Sequence, residues 1–331
     1  MVNNSMILQA KSILENACIE LGIDSYLKDP SVTEIMVNPD NKIFIKVLGK
    51  GIINTKLVAD PRKTLHIIQV LSSLEGLVIN ANNPRISTTL PLTNSRFEGL
   101  VPPVVSNPTC TIRKKSIKIL SLENYIEQGI LTEELKQQIE NYVHEKKNIL
   151  IVGGTDTGKT TFANAIIKVL EKTEERLLFI EEVQELQSNI EDLVRMVVIE
   201  GIFEPKAALK SAMRMSPHRI IYGEVRGAEA FDLINAFNSG HPGGVCTIHA
   251  NDCLLGLKKL EMYIMYEKQQ PLSPVISETI NVVITLKLEE GYGKSKRYLD
   301  SIAEVQGYKE GNYILNYIYR HKASDTCVTL E

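Results

Sequence analysis

One run of nine residues constrains this chain more than any other: Gly153-Gly154-Thr155-Asp156-Thr157-Gly158-Lys159-Thr160-Thr161, directly after the apolar stretch Ile149-Leu150-Ile151-Val152. It fits G-x-x-x-x-G-K-[ST] without a mismatch. An apolar strand, a glycine-bearing loop and a helix opening at Lys159 form a cradle for phosphate. The glycines let backbone N–H groups turn inward, and the helix N-terminus adds its positive end. Lys159 supplies a point charge near the β- and γ-phosphates. The Thr160 hydroxyl is placed to ligate Mg²⁺, and Thr161 to reach the α-phosphate. Asp156 is expected to point to solvent, because burying a carboxylate beside a polyanion is costly.

The rest of the second half supports this setting. Strands are expected at Asn148–Val152, Leu177–Ile180, Arg219–Tyr222, Gly244–Ile248 and Asn281–Lys287. Helices are expected through Leu170, after Ile180, from Ala228 to Ser239, and from Leu254 to Tyr266. Such alternation implies an α/β domain with a mostly parallel sheet covered on both faces. A tail hairpin turning at Lys309-Glu310-Gly311-Asn312 closes it. Ahead of this domain, Thr132 is expected to cap a helix with Leu135, Ile139, Tyr142 and Val143 on its buried face.

The first half reads as a smaller α+β domain. It has a helical start, two strands turned at Asn38-Pro39-Asp40-Asn41, a helix opened by Pro61, and short alternating pieces between Arg85 and Lys115. We therefore expect an N-terminal domain over 1–115, a connector over 116–131 and the nucleotide domain over 132–331.

Acidic residues then fall where a magnesium–nucleotide site needs them. Glu224 ends the apolar strand Arg219–Tyr222, on the side where open α/β sheets bind ligands. There it can polarise a water or hold Mg²⁺ through water. Glu181, Glu182 and Glu185 follow another strand. His249 closes Thr247-Ile248-His249-Ala250-Asn251 and can sense a γ-phosphate by a hydrogen bond. No acid or cysteine has zinc-ligand spacing to it or to His241.

Composition removes other classes. The formal net charge of −3 excludes a polycation built for direct nucleic-acid binding. No apolar run nears the roughly 18 residues of a membrane span. The first residues lack a basic segment followed by an apolar one, so a cytoplasmic place is expected. Five scattered cysteines without a C-x-x-C pair support neither a disulfide framework nor a zinc ribbon.

Taken in order, the GGTxTGKTT loop, the Ile180-Glu181-Glu182 acid box, the Gly223-Glu224-Val225-Arg226 strand end and the histidine box resemble the secretion ATPases of the traffic-ATPase superfamily. The likeness is to the VirB11/TrbB-like branch of type IV secretion and conjugation. Val32–Asp40, Arg96–Pro103 and Thr111–Lys115 resemble that branch's N-terminal segments, so the likeness runs over roughly 25–315. It implies a RecA-like P-loop domain, ATP and Mg²⁺ as cofactors, and a ring homo-hexamer on inner-membrane secretion-channel and coupling proteins, peripheral to the membrane's cytoplasmic face. It also implies roles for residues. Glu181 and Glu224 would be catalytic, with Arg96 and Arg113 of the N-terminal domain touching the terminal phosphates. Arg214, Arg226 and His249 would join the nucleotide site, and Glu182 would join Thr160 and Glu224 at the metal.

The chain departs from the family pattern at four places. Glu182 stands where Asp is usual. Ser216-Pro217-His218-Arg219 replaces Arg-Pro-Asp-Arg, Asp156-Thr157 replaces Gly-Ser, and Lys259 replaces Arg. The absence of a four-cysteine module favours this branch over type II secretion ATPases. Type II secretion and pilus motors are the neighbouring alternatives, and a monomeric P-loop kinase or a nonenzymatic nucleotide-gated factor is the alternative from another class.

Overall fold

A computed structural model of the chain describes residues 4–114, 119–291 and 294–321. The chain divides into two compact units: Met1–Ile117 with Glu290–Ser295, and Lys118–Glu289 with Lys296–Glu331.

The first unit begins with helices α1 (Asn4–Glu20) and α2 (Asp24–Lys28). Strands β1 (Val32–Val37) and β2 (Lys42–Val47) follow, turning through Asn41, whose φ of 65° suits asparagine. Strand β3 (Gly51–Val58) lies beyond the two strands expected from sequence. Its residues are mostly exposed, so it carries little apolar alternation to read. Helix α3 (Pro61–Leu74) opens with Pro61 behind an Asp60 cap that accepts the Arg62 N–H at 2.9 Å. Strands β4 (Arg85–Leu90), β5 (Ser95–Leu100) and β6 (Thr109–Arg113) complete an antiparallel sheet of order β3-β2-β1-β6-β5-β4. Its core gathers Leu14 and Cys18 of α1, Ile67 and Ile68 of α3, and Ile35, Ile43 and Phe97 of the strands.

The expected domain boundary at residue 115 lies outside the described residues. Residues 119–131, read from sequence as part of a connector, group with the second unit. Ser121 caps α4 (Leu122–Glu127), and Leu122, Tyr125 and Leu131 are buried in the second unit's core. Three apolar side chains removed from water tie this stretch to the second unit. Thr132 caps α5 (Glu133–His144) as expected, its hydroxyl accepting the Leu135 N–H at 3.3 Å.

The remaining elements are β7 (Ile149–Gly153), α6 (Lys159–Leu170), β8 (Leu177–Glu181), β9 (Leu193–Val197), α7 (Pro205–Ala212), β10 (Arg219–Val225), α8 (Glu229–Asn238), β11 (Val245–Ile248), α9 (Cys253–Met265), α10 (Ser273–Thr279), β12 (Val282–Gly291), β13 (Lys294–Lys309) and β14 (Asn312–Arg320). Among the described residues their sheet runs β14-β13-β12-β7-β11-β10-β8-β9, and it is parallel from β12 to β9. The helical stretch expected after Ile180 is α7, and strand β9, which sequence did not foresee, comes before it. The β9 residues Leu193-Val194-Arg195-Met196-Val197 are apolar but for Arg195 and mostly half-buried, and the strand pairs in parallel with β8. The tail hairpin forms, with Lys309 opposite Asn312.

Strand alternation sends side chains to two cores. Leu150, Leu178, Ile220 and Cys246 face the layer of α7, α8, α9 and α10. Ile149, Leu177, Ile221 and Val245 face α4, α5 and α6. Gly244, entering β11, lies where a Cβ would collide with the buried Phe237 ring. Gly244→Ala is expected to destabilise the second unit by about 1–3 kcal/mol through overpacking, read as a lowered thermal midpoint. An unchanged midpoint would mean that the ring has room to move.

Candidate functional site

The phosphate cradle forms where sequence places it. β7 ends at Gly153, whose missing Cβ leaves room for the Thr157 hydroxyl and the Leu286 carbonyl. Asp156 (φ 61°) and Gly158 (φ 92°) take left-handed conformations that turn the loop into α6. The Thr157 hydroxyl donates to the Gly154 carbonyl at 3.0 Å. Thr155 lies at the exposed crest, and Thr160 and Thr161 sit in the first turn of α6.

Lys159 is buried, 8% exposed. Its ammonium donates to the carbonyls of Gly153 (3.0 Å) and Gly154 (2.9 Å), and lies 3.2 Å from His249 Nδ1. His249 follows β11, and its Nε2 stands 2.8 Å from Glu224 Oε1. Glu224 Oε2 accepts from Arg226 Nη2 at 2.7 Å, and Arg226 Nη1 donates to Glu182 Oε2 at 2.5 Å. Lys159, His249, Glu224 and Glu182 thus follow the spatial order β7, β11, β10, β8 along the carboxyl edge.

Environment separates the protonation states. Burial pushes the His249 pKa below its ordinary value, the Lys159 charge pushes the same way, and Glu224 opposes them. A neutral imidazole then accepts from Lys159, with Glu224 beside its other edge. Burial would raise the Glu224 pKa, but the Arg226 hydrogen bond and charge, with His249 and Lys159, hold it below the ordinary carboxylate value. Glu181 differs. It is 5% exposed, and burial pushes its carboxyl up to about 7. Its Oε1 accepts the N–H groups of Glu185 (2.8 Å) and Leu186 (2.7 Å).

The donor set suits a magnesium ion that arrives with phosphate. Among the described residues no three His, Cys, Asp or Glu side chains cluster as a cation site. Mg²⁺ commonly takes one or two protein ligands plus phosphate oxygens and waters. Thr160 and Glu224 can supply these. Glu182, expected as a metal ligand, is half-exposed and committed to Arg226.

Arg214 does not join the cradle. It is exposed in the turn between α7 and β10, where the chain enters the amino end of a strand parallel to β7 through β11. Nearby Arg219 of the departing Ser216–Arg219 run is structural here. It is 3% exposed and binds Glu175 and the Val143 carbonyl. In the first unit, Arg96 of β5 pairs directly with Arg113 of β6, and Arg113 with Glu34 of β1. Arg113 Nε is 3.6 Å from Glu34 Oε1.

Three residues escaped the sequence reading. Arg297 of β13 donates from Nε to the Asp156 carbonyl at 2.8 Å and lies along Gly158. Asp156 is half-buried. No local motif marks a residue 141 positions away. Arg195 donates to the Leu186 carbonyl at 2.6 Å. Asn164, buried in α6, bonds to Glu185 and Gln187. Its signal was a lone amide among Phe162, Ala163, Ala165 and Ile166.

A family model described as Type II/IV secretion system protein matches residues 25–328. A probable conjugal transfer protein TrbB of Sinorhizobium fredii is 37% identical over 289 residues, covering 87% of each chain. The type IV secretion system protein VirB11 of Bartonella quintana is 28% identical over 319 residues, covering 81% of this chain and 88% of the relative. In fold, the chain is similar to the Legionella pneumophila ATPase DotB (TM-score 0.62, 18% identity, 83% of this chain and 77% of that one). It is also similar to the pilus retraction motor PilT with bound ADP (TM-score 0.61, 16% identity, 90% of this chain and 81% of that one).

The Glu181 environment predicts a pH effect on stability. Between the unfolded carboxyl's 4.5 and the folded value of about 7, the folded state holds the extra proton. Stability therefore falls as pH rises through that window, by up to about 3 kcal/mol from this group. Glu181→Gln is expected to remove that part of the decline in denaturant unfolding at pH 5 and pH 8. An identical decline in both proteins would contradict the raised value.

Proposed function

We propose, on the premise that this chain belongs to the type II/IV secretion system protein family as a VirB11/TrbB-like traffic ATPase, that it hydrolyses ATP as a homo-hexamer to power a type IV secretion or conjugative transfer machine. The observation that carries this reading is the row of close contacts Lys159–His249–Glu224 at the edge of the phosphate cradle.

In this reading the N–H groups of the 153–158 loop and of the first turn of α6 bind the phosphates. Lys159 exchanges its two loop carbonyls for phosphate oxygens. Thr160 and Glu224 would hold Mg²⁺, which would neutralise charge on the phosphates. Glu224, kept ionised by Arg226, accepts the proton of the attacking water. His249 loses its Lys159 donor when Lys159 turns to phosphate, and so reports the γ-phosphate to Glu224. Glu181 shapes the neighbouring loop and is the second carboxylate of the reaction. Arg226 aligns Glu224, and it approaches nucleotide only if the Glu182 pair opens. Arg96 and Arg113, carried by the domain assigned to 1–115, cap the terminal phosphates in the assembled ring and stabilise transition-state charge. Arg214, exposed and remote from this chain's own cradle, has its place in the ring contacts.

The sequence relatives are conjugal transfer and type IV secretion proteins, which supports docking on inner-membrane channel and coupling proteins at the cytoplasmic face. No helix among the described residues is long and apolar enough to cross a membrane. A type II secretion or pilus motor is the second reading, supported by the comparable fold likeness to PilT.

Glu224→Gln is expected to retain ATP binding and to lose turnover by about 10²–10⁴-fold. Steady-state phosphate release, with fluorescent-nucleotide titration, checks both; equal turnover would displace Glu224 from the role. Arg113→Ala is expected to lower turnover in a folded protein, checked by the same assay with circular dichroism. Full activity after that change would remove the first unit from the active site. Light scattering behind size-exclusion chromatography should show a hexamer with ATP, and a strict monomer with and without nucleotide would favour the kinase-like alternative.

A further inference from the structure

Asn164 stands five residues after Lys159, so about 7.5 Å further along the same helix. It is 4% exposed in a stretch that is otherwise apolar. Its Nδ2 donates to the Glu185 carbonyl at 3.0 Å, and its Oδ1 accepts the Gln187 N–H at 2.9 Å. One side-chain amide thus pairs a carbonyl and an N–H two residues apart, as a neighbouring strand would. Helical propensity disfavours asparagine, and a buried amide is tolerated only when both ends are satisfied. The residue serves the loop it binds.

That loop follows the acid strand β8 and has little structure of its own. Its backbone is held by side chains. Glu181 takes the N–H groups of Glu185 and Leu186, and Arg195 holds the Leu186 carbonyl. Glu171, just past α6, accepts the Asn189 N–H at 2.8 Å. At its start, Glu182 binds Arg226, which holds Glu224. The contacts close a circuit: Lys159 to His249, Glu224, Arg226 and Glu182 across the top, then through the loop to Asn164 and back along α6 to Lys159.

We infer that Asn164 is a positioning residue that couples the phosphate-binding helix to the acid loop, so that nucleotide at the cradle sets the placement of Glu181 and Glu182. The inference rests on the ATPase reading above and adds to it the route by which occupancy reaches the carboxylates. Three ties on one loop, the row over the edge, Asn164 and Glu171, make the loop and α6 move as a unit.

The test uses the full-length protein in its assembled form. In wild type, saturating Mg-ADP should slow amide exchange in the peptide carrying Glu185, Leu186 and Gln187. Asn164→Asp keeps the side chain's shape and its acceptor but loses the donor to Glu185. It should bind a fluorescent ADP analogue within about threefold of wild type, lose the exchange response, and turn over ATP about 10–100-fold more slowly, the usual scale for supporting residues. Asn164→Ala should behave alike. A residue that only stabilised the fold would lower the melting temperature and leave kcat and the exchange response intact, and that result would overturn the coupling. Wild type alone also decides the matter. Nucleotide bound without slowed exchange would overturn the coupling and spare the ATPase reading, whereas no nucleotide binding at all would remove both.

Discussion

A buried ammonium organises the second unit. Lys159 has left bulk water and must be satisfied where it sits. Two loop carbonyls and one imidazole nitrogen do this. The demand explains why Gly153 and Gly154 bring their carbonyls inward and why His249 is neutral. It also explains why an ionised carboxylate, Glu224, stands one residue further along the row. Each partner offsets part of the cost of burying the charge. The same arrangement suits a site where phosphate oxygens replace the loop carbonyls, because the lysine already points into the cradle.

Glu181 and Glu224 illustrate how position separates two like groups. Both end parallel strands on the same edge. Glu224 lies between two cations, with Arg226 and Lys159 favouring its charge. Glu181 lies beneath, where loss of water outweighs two backbone N–H donors and the Arg195 charge. The first is suited to remain an anion. The second is poised near neutrality and is committed to shaping the loop after β8. Gly223 allows that arrangement, since a Cβ there would press on the Glu181 side chain at 3.1 Å.

The first unit contributes a row of charge of another kind. Glu34, Arg113 and Arg96 are direct cross-strand neighbours on three adjacent strands. Cross-strand partners share a face of the sheet. Two arginines that lie 17 positions apart in sequence therefore form one cationic strip, with Glu34 at its end. The apolar residues of α1 and α3 fix the strip by packing against the sheet's core.

Local sequence determined the elements whose signal is local. The loop around Lys159 has its glycines at required positions, Thr132 and Pro61 announce their helices, and apolar runs mark β7, β8, β10 and β11. It also determined that Glu181, Glu224 and His249 end strands, because turn chemistry and apolar runs are short-range. Strands β3 and β9 were not legible, since each is half-exposed and owes its existence to a partner strand. Nor did sequence separate the roles of the two carboxylates, place Arg214 at the far edge, or reveal Arg297 against Asp156 and Asn164 under the acid loop. These depend on strand order and burial, which bring residues up to 141 positions apart within hydrogen-bond distance. Hydrogen bonds and pKa values respond to distance in space, and only the packed sheet sets that distance.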